Sequence, residues 1–428
     1  MAIPKLALIP STVGGSVYSV LPSNGDGDFD FTRASAATRI NAQGLIETVA
    51  VGDNRLNYPL IDGVVSGCPS LLLEPSRTNL VTYSEDFSNA YWTKVGASIT
   101  SNAAISPDGT LNADKLVEGS GTGAHLISRA LFGSGVNLAK YTLSIFAKKG
   151  ERDLLVIQDG TTVNNAFFDL TNGVVAGITG AGTAKIESLG NDFYRCSFTF
   201  TQSGVDLRPQ FALADITLSG SPPSYTGDGT SGVYIYGAQL EAGNYATSYI
   251  PSLTGSQTTR SAETCNNAGD VNTFNDSEGV LFAEISALAN DGTYRNICLS
   301  DGSLTNRILI QYTPTSNQIN IVIIYSGGQY SLSHTVSDVK NFSKFLIKYK
   351  VNDLALWVNG FEVDTSTNSN LPIGLNTLSF DNTVGDVFYS NTKQIQYFNT
   401  ALTDSELETL TSWVSFTDMA NGQQYTIE

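Results

Sequence analysis

Short runs in which apolar and polar residues alternate, cut by Gly, Asn and Asp, constrain this chain more than any other feature. In AKYTLSIFAKKG, Tyr141, Leu143, Ile145 and Ala147 fall on one face, and Thr142, Ser144 and Phe146 on the other. A period of two is the signature of a strand with its two faces in different surroundings. KLVEGSG, HLISRALF, RDLLVIQDG, NAFFDL, DFYRCSFTFT, RPQFALADI and GVYIYGAQLEAG repeat it between Ser76 and Ile250. Asp169, Asn172 and Gly173 supply a hairpin signal, and SPPSYTGDGTSG is a long loop carrying Tyr225 and Asp228 at its tip. Eight or so strands at this spacing predict a jelly-roll type sandwich.

A second series of strands runs from Val271. LIKYKVNDLALWVNGFEV reads as two strands around a turn, then Asn359-Gly360 as a tight type I′ turn, then a third strand. KQIQYFNTAL reads as a closing core strand. In TDSELETL, Thr403 and Glu406 have capping-box spacing, which predicts the one helix of the chain. The fold class expected is all-β: an irregular N-terminal arm followed by two β-sandwiches.

The stretch LLLEPSRTNLVTYSEDFSNAYW, Leu71 to Trp92, separates these regions. Pro75 ends an apolar run, Ser76 to Asn79 supply turn chemistry, and Phe87, Tyr91 and Trp92 bring aromatic mass. Trp92 reads as a lid on the first core. Before Leu71 the pattern is broken: Leu6 to Ile9 and Val17 to Leu21 read as short strands, INAQGLIETV as a strand, a turn at Gly44 and a strand, and the segment has too little hydrophobic mass to fold alone. It must bury itself against a neighbour: another subunit, a larger assembly or the next domain. PSLTGSQTTRSAETCNNAGD, from Pro251, reads as a linker packed along a neighbour. The expected divisions are an arm over 1–75, a sandwich over 76–251, a linker over 252–270 and a second sandwich over 271–428.

Composition removes several function classes. A chain of 428 residues exceeds one ordinary sandwich. Its net charge of -17 is spread thinly, which argues against nucleic acid and anionic membrane surfaces. No apolar run approaches 18 residues, so no membrane insertion is expected. MAIPKLALIP lacks a small-residue cleavage site in the right place, so no signal peptide is expected. Cys68, Cys196, Cys265 and Cys298 have no metal or disulfide-scaffold spacing and read as mostly buried free thiols. Asp26, Asp28 and Asp30 resemble the start of a calcium loop, but Phe31 and Ala37 stand where Gly and Glu are needed, so calcium is unsupported and no cofactor is expected.

ATRINAQGLIETVA, PSLLLEPSRTNLVTYSEDFSNAYW and YIYGAQLEAGNYATSYIPS resemble a module common in tail-fibre and other virion structural proteins of tailed bacteriophages. That resemblance covers roughly the first 250 residues. It implies a carbohydrate-binding type of β-sandwich. From Val271 the chain resembles the concanavalin A-like lectin/glucanase fold, laminin-G-like modules included.

Catalytic patterns are missing. The glucanase strand signature of carboxylates on one face does not occur: Glu284 stands alone, and Glu362 and Asp364 lack a third acid. His125 and His334, the two histidines, have no nucleophile in a recognised context. Recognition remains, through aromatic platforms beside polar side chains. The candidates are Tyr225 with Asp228 in the first sandwich, and Tyr294, Arg295 and Tyr330 in the second. Asp301, Tyr325 and Trp357 are weaker candidates, Trp357 reading as a core residue and Asp301-Gly302 as a plain turn.

The expectation is therefore a non-enzymatic virion structural protein of tail-fibre or adhesin type, on the tail or capsid surface. It would be made in the bacterial cytoplasm, join other virion proteins through its N-terminal arm, form a homotrimer and bind host surface glycans. A capsid (head) fibre or decoration protein, a polysaccharide depolymerase and a bacterial surface protein are the alternatives.

Overall fold

The computed structural model describes residues 3–10, 17–130, 133, 135–161, 164–215, 222–367, 370–383 and 385–412. The Leu131-Phe132 end of HLISRALF and the Ile216 end of RPQFALADI lie outside them, as does the chain beyond Ser412. Among the described residues nearly all regular structure is strand, with one α-helix, Asp404–Ser412.

The first sandwich is two six-stranded antiparallel sheets. One runs in the order Trp92–Val95, Leu126–Arg129, Pro209–Ala214, Leu154–Asp159, Asn165–Asp169, Val174–Thr179; the other, Ala97–Ile105, Leu111–Glu118, Gly232–Ala242, Lys140–Lys149, Tyr194–Thr201, Thr183–Ser188. Tyr141, Leu143, Ile145 and Ala147 face the core between the sheets, with Leu155, Phe168 and Phe198. Trp92 closes that core against Phe87 and Phe211, its Nε1 donating to the Tyr83 carbonyl at 2.9 Å. The alternation of the long central strands matches their environment. The weakly apolar strands Ala97–Ile105, Val174–Thr179 and Thr183–Ser188 were not expected: they lie at sheet edges and bury little.

The second sandwich packs a nine-stranded sheet on a five-stranded one. Ser390–Phe398 is central in the larger sheet, beside Glu278–Ala287. Asn359 and Gly360 have φ of 49° and 91°, the left-handed pair that a type I′ turn requires. The helix lays Leu407 and Leu410 on Val280, Phe282 and Trp357. Its start is tied by the Thr403 N–H and Oγ1, which donate to Glu406 at 3.0 and 2.9 Å.

Of the neighbours expected to bury the N-terminal arm, the chain's own two sandwiches do so, and the arm is not a separate unit over 1–75. Leu6–Leu8 pairs with Tyr397, Gln396 and Ile395 on one end of the Ser390–Phe398 strand, and Ser70–Leu72 pairs with Thr392 and Asn391 on the other. Leu6, Leu8, Val17, Phe29, Leu71 and Leu73 are buried in the core of the second sandwich. The broken pattern arises because three-residue strands contribute one or two core side chains each. Between them, Ile40, Ile46 and Leu60 pack on the outer face of the first sandwich, against Phe146, Tyr236 and Tyr249. The first sandwich is thus inserted into the second. The stretch from Leu71 to Trp92 is the crossing between them.

The expected linker is also structural. Thr258–Arg260 pairs with Arg77–Asn79, and Thr264–Asn266 with Asp30–Thr32. Its charged residues enter a buried cluster of Arg33, Arg55, Arg260, Glu74 and Glu263, none more than 3 % exposed. Arg55 grips Glu263 through both ends of its fork, at 2.8 and 2.5 Å, and reaches Glu74 at 2.8 Å. Arg33 meets Glu263 at 2.8 Å, and Arg260 meets Glu74 at 2.9 Å. The Ser248 N–H and Oγ donate to Glu74 at 2.8 and 2.6 Å. Carbonyls of Thr38, Asp53 and Pro75 accept further guanidinium hydrogens, while the buried Arg260 Nε has no partner among the described residues. Burial alone pushes the Glu74 carboxyl up; Arg260, Arg55 and Ser248 outweigh it and hold it at about 2.

Two outcomes follow from this arrangement. Residues 271–428 expressed alone lose Leu6, Leu8, Leu71 and Leu73, roughly 6–12 kcal/mol of burial, against a typical domain stability of about 5–15 kcal/mol. The fragment is expected to give a collapsed, poorly dispersed NMR spectrum, and a well-dispersed one would refute the shared core. Glu74 has its folded pKa depressed, so its stabilisation is complete above about pH 4.5 and is lost as pH falls through about 2. The stability difference between wild type and Glu74→Gln, from urea titrations, is expected to shrink steadily over that window.

Candidate functional site

The sequence candidates do not converge. Tyr225 is 8 % exposed, so it offers no open ring for stacking. Its hydroxyl donates to Glu118 at 2.6 Å, and its ring lies between the His125 edge at 4.6 Å and the Arg152 guanidinium at 5.3 Å. Glu118 also takes both ends of the Arg152 fork, at 2.8 and 2.7 Å, and the Asp228 N–H at 2.8 Å. Asp228 spends its oxygens on its own loop, accepting from Ser231 Oγ at 2.6 Å and from the Thr230 and Ser231 N–H groups at 2.7 Å. Those bonds, the Ser231 hydroxyl first, hold its carboxyl well below the usual carboxylate range. The pair builds the loop that was expected to present it. His125 belongs to the same structure: its Nδ1 lies 2.5 Å from the Gly96 carbonyl oxygen.

In the second sandwich Tyr294 is 44 % exposed, but its neighbour Arg295 is buried and bound by Asp291 through both Nη atoms at 2.9 Å. Tyr245 of the first sandwich is its other neighbour, so Arg295 serves the contact between the sandwiches. Tyr330 stacks on Tyr325 at 5.3 Å and packs against the core. Register sets Tyr330 level with Leu299 through Ile323 and Ile308. It is therefore three strands and four residues away from Arg295, roughly 14 Å across and 13 Å along. These three residues do not form one site. Trp357 is buried beneath the helix, and Asp301 closes its own turn by accepting from the Ser303 N–H at 2.8 Å.

The three early aspartates also hold loops. Asp28 accepts from the Ser19 N–H at 2.8 Å, Asp26 from Asn24 at 2.6 Å and Asp30 from Asn267 at 3.0 Å. Among the described residues no group of three or more His, Cys, Asp or Glu side chains is placed to hold a metal ion. All four cysteines are free, three of them buried and Cys68 exposed.

A cleft of about 850 Å³ lies where the N-terminal segment, the first sandwich and the second sandwich meet. That volume suits a small ligand. Its floor is the outer face of the first sandwich, where Phe146, Lys185, Glu187 and Arg195 share one side of adjacent strands. Its roof is the N-terminal segment around Tyr58, and its far wall carries Tyr245, Thr247 and Asn391. Tyr58, Tyr194 and Tyr245 are half-buried, presenting ring surface without being free in solvent. The Arg77 guanidinium stacks on Tyr245 at 5.8 Å, and burial pushes the Tyr245 hydroxyl up to about 12. The Arg195 guanidinium stands 5.4 Å from the Phe146 ring centre and donates to Ser144 Oγ at 3.3 Å. Two of the lining acids are engaged: Glu187 with Lys185 at 2.6 Å, and Glu74 with the buried cluster. Half-buried rings beside amide and guanidinium donors suit a sugar, whose C–H faces stack and whose hydroxyls accept and donate. Sequence reasoning missed this cleft because its walls come from separate stretches, each unremarkable by itself. The one available signal was Tyr58 and Arg39 standing in a segment otherwise too polar to fold.

No family model matches the chain, and no curated protein does. Among solved structures it is partly similar to the CBM40 module of a Ruminococcus gnavus IT-sialidase. There the TM-score is 0.29 and the identity 13 %, over 34 % of this chain and 93 % of that one. The same module is also known bound to α2,3 sialyllactose. The leech intramolecular trans-sialidase gives a TM-score of 0.29 at 14 % identity, over 35 % of this chain and 27 % of that one. The botulinum neurotoxin serotype G binding domain gives 0.28 at 12 %, over 35 % and 39 %. Likeness at this level assigns no ligand to this chain.

The Tyr225 network generates a clean separation of stability from binding. Tyr225→Phe removes one hydrogen bond to a carboxylate and is expected to cost about 1.5–3 kcal/mol in denaturant unfolding. Saccharide affinity is expected to stay as in wild type.

Proposed function

We propose that this chain is a non-enzymatic virion structural protein of a tailed bacteriophage, of tail-fibre or adhesin type, and that it recognises host surface glycans in the cleft between its sandwiches. The observation that carries the glycan half is the lining of that cleft: tyrosine rings with Asn and Arg side chains around a volume suited to a few sugar units. The phage half rests on the motifs of the first 250 residues. A non-catalytic role is supported by the state of the lining acids. Glycoside hydrolysis needs two opposed carboxyl groups. Here Glu74 and Glu187 are held by cations, and Asp62 sits on a hairpin turn.

Because the strands Leu6–Leu8 and Ser70–Leu72 and the described strands between them are built into the fold, attachment to other virion proteins would use the outward faces of those strands. A homotrimer would repeat a weak site, raising avidity without a stronger contact.

A glycan array of bacterial surface polysaccharides, read with wild type and with Tyr58→Ala, tests this reading. Selective binding that falls at least about tenfold in the variant, with no new reducing ends on prolonged incubation, is expected. Uniformly blank arrays would refute glycan recognition, and steady release of reducing ends would replace it with a depolymerase.

A further inference from the structure

We propose that the cleft takes a carboxylate-bearing saccharide, with Arg195 as its anion-binding anchor. This rests on the glycan reading above and specifies the sugar class. Four cationic side chains line the cleft of a chain whose net charge is -17: Arg39, Lys185, Arg195 and Lys340. Three are already matched, Arg39 by Glu47 at 2.9 Å, Lys185 by Glu187 at 2.6 Å and Lys340 by Asp338 at 3.3 Å. Arg195 has no ion pair among the described residues. Glu187, its cross-strand partner, is paired with Lys185 instead.

The posture of Arg195 suits an external anion. Phe146 lies against the guanidinium, and Ser144 takes its one hydrogen bond to a described residue, at a long 3.3 Å. Its Nε is buried and has no partner among the described residues. The group is thus oriented by a ring and a hydroxyl, and its Nη atoms make no other hydrogen bond among the described residues. A guanidinium presents a planar fork that matches a carboxylate in two parallel bonds, a geometry an ammonium cannot reproduce. The overall negative charge does not oppose this, since charges more than about 8 Å away are largely screened at physiological salt. Half-buried Tyr58 and Tyr245 would flank the sugar ring, and the carboxylate would supply the ion pair that Glu187 does not.

The test uses the full chain and uronate-bearing oligosaccharides on an array, each beside its carboxyl-reduced counterpart, which keeps every hydroxyl and loses the charge. Wild type is expected to bind the acidic member of at least one pair about tenfold or more above its neutral mate. Arg195→Gln is expected to abolish that preference while keeping weak binding to both. Arg195→Lys is expected to restore part of the preference and to make it more sensitive to salt. Circular dichroism and melting establish that each variant is folded. Should a variant fail to fold, loss of the wild-type preference between 50 mM and 500 mM salt provides the second readout. Equal binding of acidic and neutral members, or a preference unchanged in Arg195→Gln, overturns the proposal and leaves glycan binding standing. No binding to any saccharide, charged or neutral, overturns both.

Discussion

Two glutamates buried among three arginines hold this molecule together. Glu74 and Glu263 lie where the N-terminal segment, the end of the first sandwich and the crossing strand back to the second all meet. Taking charges from water into a protein interior costs several kcal/mol each, and the attraction between them repays this only when the geometry is complete. Here completeness needs every segment at once. The arrangement therefore acts as a register mark. A slip in the Thr258–Arg260 pairing would leave a buried carboxylate or guanidinium alone, a far larger penalty than a slipped apolar contact.

That cluster also explains where the motifs of the chain fall. LEPSRTN contributes Glu74, Pro75 and Asn79; QLEAGNYATSYIPS contributes Ser248, with Gln239 and Glu241 in an adjoining buried network. Asn79 alone bonds Ala238 and Ile250 carbonyls and the Val81 and Leu240 N–H groups. Such residues are tightly specified because each polar atom has an assigned partner in a place without water. A long specific motif can therefore mark an interior rather than a binding surface. Glu74 touches both: it belongs to the cluster and lines the cleft. The walls of the cleft are set by the same interactions that set the fold, which lowers the ordering cost of receiving a ligand.

The central strands, the type I′ turn at Asn359-Gly360 and the helix after Thr403 were legible because each carries its reason locally, in alternation, turn chemistry or capping. The partners of the N-terminal segment were illegible for the opposite reason. Leu6–Leu8 reads as a short strand by itself, but nothing within its own ten residues says that it pairs with Tyr397, Gln396 and Ile395. The linker was expected to pack along a neighbour, but its composition did not show how: the partners of Arg260 and Glu263 are Glu74, Arg33 and Arg55, all far off in sequence. Tyr225 misled likewise. A tyrosine at a loop tip reads as exposed unless an acceptor is in reach, and that acceptor, Glu118, sits at the end of a distant strand. The cleft joined side chains from several such stretches, so no spacing could announce it.

The insertion of one sandwich within the other sets an order of events during synthesis. The first sandwich pairs strands between Trp92 and Ala242 and can close as soon as that stretch leaves the ribosome. Leu6–Leu8 and Ser70–Leu72 emerge before it, yet the edge that they bind is the Ser390–Phe398 strand, made long after the first sandwich. Until that strand appears their leucines have no place to go. A nascent chain of this kind holds unsatisfied strands ahead of a folded sandwich, and these are the segments a chaperone would be called on to shield.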